Sequence, residues 1–136
     1  EVRRFMDLRR RSVIPGETVF VLYVLGRYSA GQISAPADLL PFLGAAGGAG
    51  IHWGFCAFGP REGACALMVT ALGGHARVGF ENNRWLNNGD LAPYNAALVA
   101  QVAASAELMS RPLADADMAR ALLAGPGDTA IREAVA

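Results

Sequence analysis

The chain has 136 residues, enough for one domain with a single core, and 53% of them are hydrophobic. Its 12 basic and 12 acidic residues cancel, which removes the electrostatic footprint of a nucleic-acid or anionic-membrane binder. The longest apolar run, 19–26, falls far short of the ~20 residues a membrane-spanning helix needs.

The opening segment, 1–11, is charged and amphipathic and reads as a helix, not as an apolar leader. Its basic run "RRFMDLRRR" is best taken as a solvated helix face. All the basic residues are arginine, alongside abundant Ala and Gly, which points to a GC-rich genome before it points to function. Three apolar runs follow: "TVFVLYVLG" (18–26), "IHWGFCAFG" (51–59) and "HARVGFE" (75–81). Bounded by Gly or Pro, they read as strands of a parallel sheet covered on both faces.

Helices are expected between and after these strands. In "SAPADLLPFLGAAGG" (34–48), Ser34 is a candidate N-cap and Pro36 lies in the first turn, with Pro41 keeping the helix short or kinked. The Gly-Ala stretch 44–50 precedes a strand instead of opening a helix after one, so it is a flexible connector and not a phosphate loop. "PREGACALMVTALGG" (60–74) carries Ala, Leu and Met up to Gly73, a natural C′ residue. "LAPYNAALVAQVAASAELM" (91–109) predicts a long helix. "RPLADADMARALLAG" (111–125) predicts another, with Asp115 as N-cap and Gly125 as stop, before a loose tail over 126–136. Cys56 and Cys65 have neither the spacing nor the number for a disulfide framework or zinc knuckle, and read as buried free thiols in a reducing cytoplasm.

Alternating helices and strands imply an α/β fold with right-handed crossovers. Three strands are few for a sheet buried on both sides: the chain reads either as a small three-layer sandwich or as the last part of something larger, and the lack of an edge-protected or amphipathic strand favours the second.

In such folds, chemistry gathers where strands end. The first strand exits into Arg27-Tyr28-Ser29, the second into Arg61-Glu62, and the third into Glu81-Asn82-Asn83-Arg84. Along an extended third strand, Arg77 and Glu81 share one face, about 13 Å apart. That polar face fits either an interior ion-pair network or a functional site. Glu62 fits either a rim carboxylate or an acid favoured by the dipole at a helix N-terminus. His52 and His75 sit at the opposite ends of their strands and read as structural hydrogen-bonding residues; too few ligands lie near Glu81 to complete a metal site within the chain.

The segments "GGHARVGFENN" (73–83), "NGDLAPYNAALV" (88–99) and "ADADMARALLAG" (114–125), with "VLYVLGRYSAG" and "WGFCAFGPRE" before them, closely resemble the carboxyl-terminal part of the β-keto acid cleavage enzymes. That group includes 3-keto-5-aminohexanoate cleavage enzyme. The resemblance implies an α/β fold made of the last three βα units of a (β/α)8 TIM barrel plus C-terminal helices. Residues 1–136 would then be the carboxyl-terminal part of one domain, its amino-terminal half absent. It also implies a cytoplasmic homo-oligomer, commonly a tetramer, that condenses a β-keto acid with acetyl-CoA to give acetoacetate and an acyl-CoA. No nucleic acid or membrane is a partner in this reading.

By the same resemblance, zinc is held by two histidines of an early strand, outside this chain, and by Glu81. Arg77 engages acidic partners of the site. Asn82 stands where an aspartate typically acts as the base, and an amide accepts no proton at a useful pH. It would be left as a hydrogen-bond donor near the reacting group, with another base, a rim carboxylate such as Glu62, or lost activity as the alternatives. Arg27, Arg61, Glu62 and Arg84 are the substrate or CoA candidates. The rival readings are a non-catalytic half-barrel fragment and another metal-dependent barrel aldolase or lyase.

Overall fold

The computed structural model describes residues 1–15, 19–47 and 51–123. They fall into two compact units. One takes in helices α1 (Val2–Arg10), α2 (Leu40–Ala46) and α5 (Ala116–Leu123). Helix α1 packs on α2, yet none of its own residues is buried, and Asp7 pairs with Arg10 and Arg11 in solvent. This is the solvated face expected of the basic run. Helix α2 extends through Gly44 to Ala46, so the Gly-Ala stretch begins as helix and not as a connector. Its alanines favour helix, and Gly47, at φ 63°, ends it. Positions 48–50 lie outside the described residues. Before α5, Asp115 Oδ1 accepts the Met118 N–H at 2.8 Å, the expected N-cap bond. The Gly125 stop and the tail over 126–136 fall outside the described residues.

The other unit covers Leu22–Leu39 and Trp53–Leu113. Among the described residues the chain forms one small sheet, in the order β1 (Phe20–Leu25), β2 (His52–Ala57), β3 (His75–Ala76). Strands β2 and β3 are parallel, with Gly54 opposite His75 and Phe55 opposite Ala76. Phe58 N–H donates to the Leu25 carbonyl at 3.0 Å, and His52 N–H to that of Val19 at 3.1 Å. Both partners advance together, so β1 runs with β2. The result is a mixed α/β arrangement around a short parallel sheet.

Two expectations are corrected here. Strand β1 is not covered on both faces: Tyr23 and Leu25 are buried, but Leu22 and Val24 are exposed. The third strand is far shorter than 75–81. Arg77 N–H still donates to the Phe55 carbonyl at 2.9 Å, and then the chain turns. Gly79 adopts φ 140°, a conformation that costs side-chain-bearing residues dearly. Its carbonyl accepts the N–H groups of Asn82 and Asn83 at 2.9 and 3.1 Å.

Helix α3 (Glu62–Ala71) makes the crossover between β2 and β3 and packs on β3 and on α4 (Asn95–Leu108). Cys65, Ala66, Val69 and Thr70 form its buried stripe, at the i, i+1, i+4, i+5 spacing of one helix face. Phe55, Leu25, Leu39 and Leu98 are the largest of the fully buried side chains. Past the helix, Gly73 takes φ 85° and Gly74 N–H donates to the Val69 carbonyl, closing α3 where the sequence places its stop. Arg111 adds bonds to the Thr70 and Gly73 carbonyls at 2.9 and 3.1 Å, a cation at a helix C-terminus. Ser34 does not play the cap expected of it. Its hydroxyl is buried and donates to the Phe58 carbonyl at 2.9 Å, tying its own segment to the end of β2. Cys56 and Cys65 are buried and free. Among the described residues no helix is long and apolar enough to cross a membrane.

Candidate functional site

The site is built where β2 ends and where the turn after β3 comes alongside it. Gly59 N–H donates to the Asn82 carbonyl at 3.0 Å, joining the two segments. A short hairpin follows: Leu86 N–H donates to Asp90, Ala92 N–H donates to Arg84, and Trp85 bridges Leu91. These pieces border an open cavity of about 460 Å³ whose wall includes Gln32, Phe58, Phe80, Glu81, Asn82, Asn83, Arg84, Trp85 and Leu91.

Glu62 is the centre of the arrangement. It opens α3, where the helix dipole favours an acid. It is fully buried, the one acid so placed among the described residues. Three donors of the turn converge on its carboxylate. Gly79 N–H and the Asn82 side-chain amide reach Oε1 at 3.2 and 3.4 Å, and the Asn83 side-chain amide reaches Oε2 at 3.2 Å. Burial pushes the Glu62 carboxyl above the ordinary glutamate range. The donors from Asn83, Gly79 and Asn82 and the charge of Arg77 pull the other way.

Asn82 and Asn83 are buried on either side of this carboxylate. Asn83 also closes a local loop, accepting the Trp85 N–H at 2.9 Å and donating to the Trp85 carbonyl at 2.7 Å. The Asn82 amide nitrogen faces a second acceptor, the Arg77 carbonyl, at 3.4 Å. Its Oδ1 is buried without a hydrogen-bond partner among the described residues. Arg77 donates to Glu81 across the turn, and both side chains keep substantial exposure. Burial also raises the thiol of Cys56, while the neighbouring Arg77 opposes that shift by charge and hydrogen bond.

Of the residues singled out from sequence, Glu81, Asn82 and Arg84 share the cavity wall, with Arg77 tied to Glu81. Glu62 touches Asn82 and is sealed from solvent behind the turn. Arg27 and Arg61 are exposed and are not among the residues lining this cavity; the Arg27 guanidinium lies 5.9 Å from the Tyr28 ring centre. Asn95, whose Oδ1 accepts the Phe80 N–H at 2.9 Å, carries no expectation from sequence, and Asn83 is named there only within the strand-exit group, with no role of its own. Two adjacent asparagines behind a strand-end glutamate were the available signal for Asn83. Asn95, at the start of a long helix, offered none.

No three His, Cys, Asp or Glu side chains converge as metal ligands among the described residues. Glu81 offers one carboxylate, already engaged by Arg77. This donor set does not by itself fit a zinc ion, which takes three or four protein ligands. A larger groove, about 710 Å³, runs beside α4. Its lining includes Ala100, Ala103, Ala104 and Leu113, and its one cation, Arg111, already binds the Thr70 and Gly73 carbonyls.

Comparison with known proteins gives a consistent answer. The family model described as beta-keto acid cleavage enzyme matches residues 1–124. A 3-keto-5-aminohexanoate cleavage enzyme of Fusobacterium nucleatum is 36% identical over 92 residues, 68% of this chain and 34% of that protein. Its counterpart in Acetoanaerobium sticklandii is 35% identical over 104 residues, 76% of this chain and 36% of that protein. A 3-oxoadipate:acetyl-CoA acetyltransferase of Cupriavidus necator is 46% identical over 74 residues, covering 54% of this chain and 26% of its own length. The chain thus spans about a third or less of the curated relatives it matches.

Proposed function

The chain belongs to the β-keto acid cleavage enzyme family, and on that premise we propose that it is the carboxyl-terminal portion of an acyltransferase acting on a β-keto acid and acetyl-CoA. In the reaction, the bond between the keto carbon and C2 breaks. The acetyl–sulfur bond of acetyl-CoA breaks as well: the acyl fragment passes to the freed CoA sulfur, and the C2–carboxylate unit takes the acetyl group to become acetoacetate. The name of the Cupriavidus necator relative supports acetyl-CoA as co-substrate. In this reading the sheet and helices are the last βα units of a (β/α)8 barrel, and the complete enzyme is a homo-oligomer.

The observation that carries the proposal is the grouping of Glu81, Asn82 and Arg84 on one cavity wall, with Arg77 bound to Glu81. Arg84 supplies a cation for the substrate carboxylate or a CoA phosphate. Arg77 orients Glu81 and moderates its charge. Glu81 would serve as one zinc ligand, the others lying outside these 136 residues. Asn82 bears no proton-accepting group, so proton removal from the substrate falls to another residue.

The test is turnover by the full-length native protein, offered a panel of β-keto acids with acetyl-CoA, with acetoacetate and acyl-CoA followed together. Equal amounts of both products are expected from at least one keto acid, along with zinc in the purified protein. Acyl-CoA hydrolysis without acetoacetate, or no product across the panel, would overturn the proposal.

A further inference from the structure

We infer that Glu62 is a positioning residue of this site, its buried carboxylate holding the turn that presents Glu81 and setting which end of the Asn82 amide faces inward. The inference deepens the reading above and rests on it for the identity of the reaction alone.

The argument is one of matching hydrogen-bond polarity. A carboxylate is acceptor-only, and three donors of the turn point at this one. A glutamine of the same shape would turn its own N–H toward at least one of them. The bonds anchor both ends of the turn, at Gly79 and at Asn82–Asn83, so that Glu81 lies between fixed points. Phe80, just before Glu81, is held from the other side by Asn95 on α4. The turn is therefore gripped by two helices, and its geometry follows from contacts that Glu81 does not itself make.

The Asn82 nitrogen lies between two acceptors, Glu62 Oε1 and the Arg77 carbonyl. That surrounding assigns the amide orientation and leaves Oδ1 as the end without a partner. Glu62 thus makes Asn82 an acceptor toward anything beyond the turn, where sequence reasoning expects a donor. A ligand group that satisfies this oxygen must bring a hydroxyl or an N–H.

The test uses Glu62→Gln, Glu62→Asp and the paired exchange Glu62→Gln/Asn82→Asp in the full-length native protein. Hydrogen exchange at the Gly79 amide reports the turn without any need for turnover. Loss of Gly79 protection is expected in Glu62→Gln, with kcat down about 100-fold and KM changed less than about threefold, the pattern of a mispositioned group. Glu62→Asp, which keeps the acceptors but draws them back, should fall between it and the native protein. The paired exchange lets the introduced amide donate to the introduced carboxylate, and should recover at least about tenfold in kcat over Glu62→Gln. Unchanged Gly79 exchange and kcat in Glu62→Gln would overturn the inference, as would a paired variant no better than the single one. Should the native protein process no β-keto acid, the functional proposal fails, and Gly79 exchange alone decides the role of Glu62.

Discussion

Arg77 is ion-paired with Glu81, four residues further along, although neither belongs to a helix. The turn after Gly79 brings the chain back, so a pair that extended backbone would hold apart is closed. Both partners remain well exposed, at 45% and 60% of their side-chain surface. Exposed pairs of this kind contribute at most about 1 kcal/mol. Glu81→Gln should therefore shift urea-unfolding stability by less than about 1 kcal/mol. In the full-length protein the same substitution should abolish turnover and lower zinc content. A large stability loss with activity retained would make Glu81 a structural residue.

Gly79→Ala tests the turn from the backbone side. At φ 140° any side chain is strained, and an added Cβ would lie 2.6 Å from Asn95 Oδ1. A loss of about 1–3 kcal/mol is expected, read as a lower urea midpoint at unchanged m-value. Adding Asn95→Ala should not restore stability, because it removes the Phe80 acceptor and leaves the backbone strain in place.

Much of this architecture was legible from composition and periodicity. The runs at 18–26 and 51–59 carry β1 and β2, and the Ala-rich segments carry α3, α4 and α5. Those elements follow from local apolar patterning, which tertiary contacts here reinforce. The third strand was misread because alternation over 75–81 suits extended backbone, while Gly79 and the distant Glu62 carboxylate bend it. Ser34 was misread for a related reason, since its hydroxyl serves Phe58, 24 residues away. Alternation puts Arg77 and Glu81 on one face and only the family resemblance adds Asn82; in the fold Arg77 pairs with Glu81 and the Asn82 amide nitrogen faces the Arg77 carbonyl. The burial of Glu62 was beyond reach, because local sequence does not reveal whether an acid at a helix start meets water or three donors.

The titration of Glu62 has a definite sign. Its carboxyl is raised in the fold above the ordinary value of 4.5, chiefly by burial. Between the unfolded and the raised folded value, the native state binds more protons than the unfolded chain. Stability from this group therefore falls as pH rises through that window, and the loss is complete above the folded value. Urea unfolding followed from pH 4.5 upward should show this slope in the native protein and a flatter one in Glu62→Gln. Equal slopes would mean that Glu62 titrates as it does in water.

Both thiols should be unreactive in the native fold. Burial pushes Cys65 up to about 11 and raises Cys56 as well. At pH 8 a thiol of that acidity is only about one part in a thousand thiolate, the form that reacts. Iodoacetamide should leave both cysteines unmodified in the folded protein and label both once the protein is unfolded in urea, as mass spectrometry can count. Labelling of either without denaturant would show that the core opens.

The grip of Glu62 on Gly79 spans 17 residues of sequence, and this sets an order of events during folding. The turn cannot reach its final geometry until β2, α3 and β3 have come together, because its anchor sits on the far side of that crossover. Closing such a loop carries an entropy cost that local contacts in 73–83 cannot offset. An isolated peptide of the sequence GGHARVGFENN should thus be unstructured in water and bring Arg77 and Glu81 together only fleetingly. The segment most distinctive in the sequence is the one least able to hold its shape alone.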